Sequence, residues 1–318
     1  MRLIALEEAF SAPGMEAYLD APLGHIAPRE AAIVRARLAD FDRRVEIMDE
    51  AGVDICVLSE TSPGVQVETD TATAIARARS SNDFLHEQIA RHPDRYRGFA
   101  HLAMQDVATA CDELERCVRD LGFVGTLING HTLGVYLDDA RYLPFWDRVA
   151  ALDVPVYLHP ADPYGQPHVL SGLPVIQGSV WGWTFETSSH FLRLLFARLF
   201  DRYPALRIIL GHMGETLPFE VWRIDRRYST TPPGPAHALK RAPSEYLREN
   251  LVIATSGVCQ DSALACSLAE LGDDNVLFAM DYPYEDAQVA ADWIRAAPIG
   301  DATREKVCFR NAERILRL

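Results

Sequence analysis

Eight short apolar runs recur along the 318-residue chain, and they restrict its fold more than any other feature. They are Leu3–Leu6, Val53–Leu58, Tyr96–Ala100, Phe123–Ile128, Val154–Leu158, Leu206–Leu210, Leu251–Ala254 and Val276–Met280. Rich in Val, Ile and Leu, with little alternation, they read as strands buried on both faces, as in a parallel sheet. Helical patterns fill most of the intervals. Phe41, Val45 and Met48 share one helical face ahead of a Gly52 stop. Further helices are expected over Ala74–Ala90, Cys111–Leu121, Leu143–Leu152, Ser189–Tyr203 and Ser262–Leu271. Eight strands alternating with helices make an α/β chain that closes into a (β/α)8 TIM barrel, an architecture that takes about 250 residues. An open doubly wound sheet would carry a Gly-rich turn after the first strand, and none is present. No linker-like or low-complexity tract divides the sequence, so residues 1–318 are expected to form one domain.

Every run ends in polar residues: Glu7 and Glu8, Ser59 and Glu60, His101, Asn129, His159, His212, Thr255 and Ser256, and Asp281. In a barrel these C-terminal strand ends converge on one mouth, where active sites are built. A single histidine after an apolar run is more often structural than a ligand. Three histidines and several carboxylates at one rim point to a metal site. Other histidines read differently. His190 sits in an apolar helical run and is expected to pack in the core, His101 reads equally as pocket or core, and His25, His131, His168 and His237 fall in loops. The segment 161–182, rich in Gly, Pro and Trp, is expected to cap the mouth. Trp181, Trp183, Tyr164, Phe10 and Tyr284 are aromatic candidates for the walls around a planar ring, or for packing between subunits.

The net charge of -14 argues against nucleic acid and anionic membranes as partners. It also means that an anionic substrate needs a local positive centre. The six cysteines form no C-x-x-C pair and read as reduced thiols. The first residues, MRLIALEEAF, turn acidic where a signal peptide would stay apolar, and no stretch approaches the ~20 apolar residues of a membrane helix. A cytoplasmic protein is expected.

The strings at the strand ends resemble the amidohydrolase superfamily, and within it the decarboxylases of 2,3-dihydroxybenzoate and γ-resorcylate. The matching stretches are ALEEAF at Ala5–Phe10, LING at Leu127–Gly130 and VPVYLHPADP at Val154–Pro163. ILGHMGETLPFEVWRIDRR at Ile209–Arg227 and MDYPYE at Met280–Glu285 complete the set in the same order. The resemblance implies that Glu7, His159 and Asp281 ligate one divalent metal ion, Mn first, with Mg and Zn as alternatives. It implies that His212 and Glu215 form a polar pair, with Arg223 close behind and Asn129 facing the substrate. Asp281 would be the proton donor, and Phe10 and Tyr284 are the aromatic candidates nearest these motifs. Many relatives carry a histidine two residues after the first-strand glutamate. Ala9 stands there in this chain, which removes one imidazole ligand.

Lysine content narrows the branch. Related two-metal hydrolases bridge their ions with a carbamylated strand lysine, whereas the two lysines here, Lys240 and Lys306, end no strand. The implied activity is metal-dependent, non-oxidative decarboxylation of an ortho-hydroxylated aromatic acid, in a homodimer or homotetramer. A mononuclear hydrolase of a lactone, amide or related small acid is the alternative on the same scaffold. A non-catalytic binding protein would be distinguished by the absence of stoichiometric metal.

Overall fold

The computed structural model describes residues 1–24, 26–231 and 233–318, so His25 lies outside the described residues. Eight parallel strands follow one another in chain order: β1 (Ile4–Phe10), β2 (Ile55–Glu60), β3 (Tyr96–Ala100), β4 (Gly125–Asn129), β5 (Val156–His159), β6 (Ile208–Leu210), β7 (Leu251–Ala254) and β8 (Val276–Leu277). Leu6 bridges Ala279 in parallel, and the Leu6 and Ala9 amides donate to the Phe278 and Tyr282 carbonyls at 3.1 and 2.9 Å. These contacts join β8 to β1 and close the ring into a TIM barrel.

The unalternating apolar runs have a direct physical cause. Ile4, Leu6, Ile55, Val57, Phe99, Leu127, Tyr157, Ile209, Val252, Ala254, Leu277 and Ala279 fill the barrel interior, with Ala312 and Leu316 of the last helix packed against them. Their strand neighbours, such as Leu3, Ala5, Cys56, Leu58, Leu158, Leu210 and Ile253, point outward into the layer shared with the helices. Both faces are covered, so neither tolerates a polar stripe.

Helices form at Phe41–Ala51, closed by Gly52 at φ 63°, and at Thr71–Arg91, Val107–Arg119, Leu143–Leu152 and Asp261–Leu271. The helix expected over Ser189–Tyr203 is two pieces, Gly182–Phe196 and Leu199–Arg202, broken where Arg198 adopts φ 65°. Helices at Pro28–Ala39, Leu217–Thr230, Pro243–Asn250 and Ala287–Ala296 were not foreseen. Three of these open with proline in the first turn, where the missing N–H is harmless. No described helix is long and apolar enough to cross a membrane.

Candidate active site at the barrel mouth

The strand ends open into a cavity of about 1150 Å3. Its wall includes His159, His212, Glu215, Asp281, Thr61 and Tyr284, with Val180, Trp181, Trp183 and Phe219 toward the outside.

Backbone irregularity places the charged groups. The β1–β2 register shifts between Ala5 and Glu8, and Glu7 takes φ 61°. His212 and Asp281 are also left-handed, at φ 48° and 63°, as are Met213 and Glu215 beside them. Non-glycine residues seldom occupy this region, and where they cluster they usually hold functional groups. Together these turns bring one ligand atom each from Glu7, His212 and Asp281 to within 4.8 Å of one another. The His212 Nε2 atom lies 3.6 Å from both Glu7 Oε1 and Asp281 Oδ2, and His159 Nε2 lies 3.3 Å from Glu7 Oε1.

The donor set suits a divalent ion. Glu7 Oε1 is buried without a hydrogen-bond partner, while its Oε2 accepts from the hydroxyls of Tyr157 and Ser256. Both histidines are oriented from behind. His159 Nδ1 faces the Pro160 carbonyl at 2.9 Å, and His212 Nδ1 faces Glu215 Oε1 at 2.7 Å. With Nδ1 so engaged, each Nε2 is left facing the gap. His212 pairs with Glu215 as expected, and its Nε2 also joins the group of Glu7 and Asp281, while His159, the imidazole ligand the resemblance implies, faces Glu7 Oε1. The geometry gives His212 both contacts and sets His159 at the edge of the group, against Glu7.

Electrostatics follow from burial and crowding. Burial lowers the His159 pKa, outweighing the nearby Glu7 charge. At His212 burial also opposes protonation, but Glu7, Glu215 and Asp281 together overcome it and raise the pKa well above the ordinary value. Burial, with Glu7 and Glu285, pushes Asp281 up to about 6 against the pull of His212.

The remaining expected residues separate into three groups. Tyr284 lines the cavity, with its hydroxyl 2.6 Å from Thr61 Oγ1. Phe10 does not line it. That ring is 1% exposed and packs against Phe41 and Phe84 with centroids 5.8 and 6.3 Å away, because β1 beyond the shift sends it into the helical layer. Asn129 pairs in register with His159 and is fully buried, its amide beside Gly64 and behind the wall. Arg223 is exposed on the helix Leu217–Thr230, one turn beyond Phe219, and is not among the lining residues. Among the other aromatic candidates Trp181 and Trp183 line the cavity, while Tyr164 stands against His131 on the surface.

Glu8 is fully buried and accepts from the Met280 and Tyr282 amides at 2.9 and 3.2 Å. Burial raises its pKa to about 8. His101 and His190 are core residues, each accepting a backbone N–H, from Val65 and Leu137, and burial holds both near 3. Tyr157, Ser256 and Gly211 surround Glu7 and were not singled out for that. A buried tyrosine hydroxyl within an apolar strand was the available signal, since it needs a polar partner.

An amidohydrolase family model matches residues 24–318. The chain belongs to the amidohydrolase superfamily. Within it, the resemblance is to the hydroxybenzoate decarboxylase branch. The γ-resorcylate decarboxylase of Polaromonas sp. JS666 is 43% identical, over 99% of this chain and 98% of its own. That of Rhodococcus jostii RHA1 is 41% identical over the same shares. The crystal structure of a dihydroxybenzoic acid decarboxylase from Polaromonas sp. JS666, with bound manganese and the inhibitor 2-nitroresorcinol, superposes with a TM-score of 0.93. That superposition has 43% identity and covers 99% of this amidohydrolase and 97% of the other chain.

Proposed function

We propose that the cavity binds a dihydroxybenzoate of the γ-resorcylate or 2,3-dihydroxybenzoate type and one divalent ion, manganese first, and releases CO2 without oxidation. The chain is a carboxy-lyase for ortho-hydroxylated aromatic acids. The observation that carries the residue assignment is the group of buried Glu7 with half-buried His212 and Asp281 at the cavity wall, with one Glu7 oxygen lacking a hydrogen bond. Glu7, Asp281 and His212 would hold the ion, with His159 at its edge. Bound there, the ion supplies a Lewis acid that orients and polarises the substrate's carboxylate and phenolic oxygens. It also provides the positive centre that a chain of net charge -14 otherwise lacks.

Direct loss of CO2 from a benzoate leaves an aryl carbanion, which is far too basic. Protonation of the carboxyl-bearing ring carbon first gives a dienone, whose C–C bonding electrons return to the ring as CO2 departs. Asp281 is the acid for that proton. Burial, with Glu7 and Glu285, raises its pKa to about 6, so it carries the proton more readily than an ordinary carboxyl does. His212, anchored on Glu215 through Nδ1, would hold the ion beside Asp281, and the proton spent on the ring carbon is replaced on Asp281 from solvent. Tyr284, Trp181 and Trp183 flank the ring, and the segment 161–182, which contributes Trp181, caps the mouth.

Phe219, Trp222, Val169 and Val175 are each at least 70% exposed, an apolar surface in keeping with a homodimer or homotetramer. Light scattering behind size exclusion reports the assembly. The activity test is manganese-loaded protein given γ-resorcylate and 2,3-dihydroxybenzoate, with CO2 and ring absorbance followed. Turnover of neither acid, with hydrolysis of a lactone instead, would overturn the proposal.

A further inference from the structure

We infer that Tyr157 and Ser256 are positioning residues that restrict Glu7 to a single ligating oxygen and thereby set which divalent ions the site accepts. The inference rests on the metal reading above and deepens it.

The two oxygens of Glu7 are treated differently by the fold. Oε2 accepts from both the Tyr157 hydroxyl and the Ser256 hydroxyl, and all three side chains are buried. The Ser256 oxygen in turn accepts the His212 backbone N–H at 2.9 Å. A serine has one proton, so with an amide aimed at its lone pairs that proton is committed to Glu7. Gly211 backs the same oxygen so closely that a Cβ there would stand 2.3 Å from it. Oε1 has no hydrogen-bond partner among the described residues and lies 3.3 Å from His159 Nε2 and 3.6 Å from His212 Nε2.

To chelate an ion with both oxygens, Glu7 would have to turn Oε2 away from two buried hydroxyls. Each would then be left unsatisfied in a dry interior, which is costly. Small ions such as Mn or Mg accept carboxylates through one oxygen. Calcium takes more oxygens and commonly uses carboxylates as bidentate ligands. A carboxylate pinned on one side therefore favours the smaller ions. Ser256 also ties the end of β7 to His212, so one hydroxyl fixes the position of two of the three grouped residues.

The test is a manganese EPR titration of the full-length protein, repeated in competition with calcium, for wild type, Tyr157→Phe, Ser256→Ala, the double variant and Ser256→Thr. Wild type should bind one manganese per chain and resist calcium. Each hydroxyl deletion should weaken manganese by about 10–100-fold, the usual effect of removing a group that orients a ligand. The double variant should also narrow the manganese-to-calcium preference by about tenfold or more, as Glu7 becomes free to chelate. Ser256→Thr, which keeps the hydroxyl, should restore wild-type behaviour. Unchanged manganese affinity in Tyr157→Phe, or weaker binding in the double variant with the ion preference unaltered, overturns the inference. Wild type without stoichiometric manganese overturns the metal reading itself, and shows this before any variant is examined. If Ser256→Ala does not fold, Tyr157→Phe carries the comparison.

Discussion

Gly211 offers a clean test of how closely the site is built. Its backbone is ordinary, at φ −72° and ψ −168°, so alanine there meets no conformational strain. What alanine lacks is space, because its Cβ would fall 2.3 Å from Glu7 Oε2 and 2.7 Å from Oε1. Ordinary contact begins at 3.4 Å, so the carboxylate must withdraw by roughly 1 Å. Glu7 cannot withdraw toward Tyr157 and Ser256, which already press on the same oxygen. A misplacement of about 1 Å in a catalytic group typically costs on the order of 10²-fold, and Gly211→Ala is expected to lower kcat/KM by that amount. Manganese affinity should fall with it, by about 10–100-fold. The assays are isothermal titration with manganese and steady-state decarboxylation, with thermal unfolding to show that the fold persists. Gly300→Ala is the control, since nothing lies within 4 Å of its Cβ position. A Gly211→Ala protein with wild-type manganese affinity and turnover would refute the placement of Glu7.

Asp281→Asn keeps the shape of the side chain but removes its proton; it should cost about 10²–10⁴-fold in kcat, and near-normal turnover would remove Asp281 as the acid. Glu60 is fully buried, held by the Ala12 amide and Ser81, and burial raises it from 4.5 to about 8. Its folded pKa exceeds the unfolded one, so its contribution is fully present below 4.5 and is lost as pH rises toward about 8, at about 1.4 kcal/mol per pH unit. Glu60→Gln should remove that much slope from stability measured by urea unfolding between those limits, while Glu8, of the same sign, keeps its own share. Ala9→His should lower the melting temperature without tightening manganese, because Ala9 is only 8% exposed and packs on Leu19, Leu23, Val34 and Leu38. Overpacking of this kind costs about 1–3 kcal/mol, and a stable variant with tighter manganese binding would show that the position opens into the site.

The barrel was readable because its physics is periodic and redundant. A strand covered on both sides must be apolar throughout, and eight such runs leave few ways to pack. Helices such as Phe41–Ala51 were readable from one apolar face and a glycine stop. Pro28–Ala39 has only a weak apolar stripe, and it, Leu217–Thr230 and Pro243–Asn250 each announce themselves by a first-turn proline. At the site, residue types and their order were legible, but directions were not. Phe10 follows the Glu7 irregularity, and the pleat there no longer continues the alternation set by Ile4 and Leu6. His159 and His212 are equivalent as strand-end imidazoles in the sequence. The left-handed turn at His212 brings its Nε2 near both Glu7 and Asp281, while His159 reaches Glu7.

The adjacent pair Glu7 and Glu8 shows why that irregularity is needed. Ile4 and Leu6 face the barrel interior, so a regular strand would send Glu8 inward and Glu7 out among the helices. The register shift and the φ of 61° at Glu7 reverse this assignment. Glu7 then meets His212 and Asp281 across the mouth. Glu8 turns outward, beside Leu58 in the β1–β2 register, where it accepts the Met280 and Tyr282 amides flanking Asp281. One carboxylate thus enters the site and its neighbour fastens the β8 end that presents Asp281. A left-handed non-glycine residue costs about 1–3 kcal/mol, and Glu7, His212 and Asp281 each bear it. Closure of β8 onto β1 and the Glu8 bonds to the β8 extension offset that cost. The strain is concentrated where the chain must depart from the pleat to gather charges that would otherwise face apart.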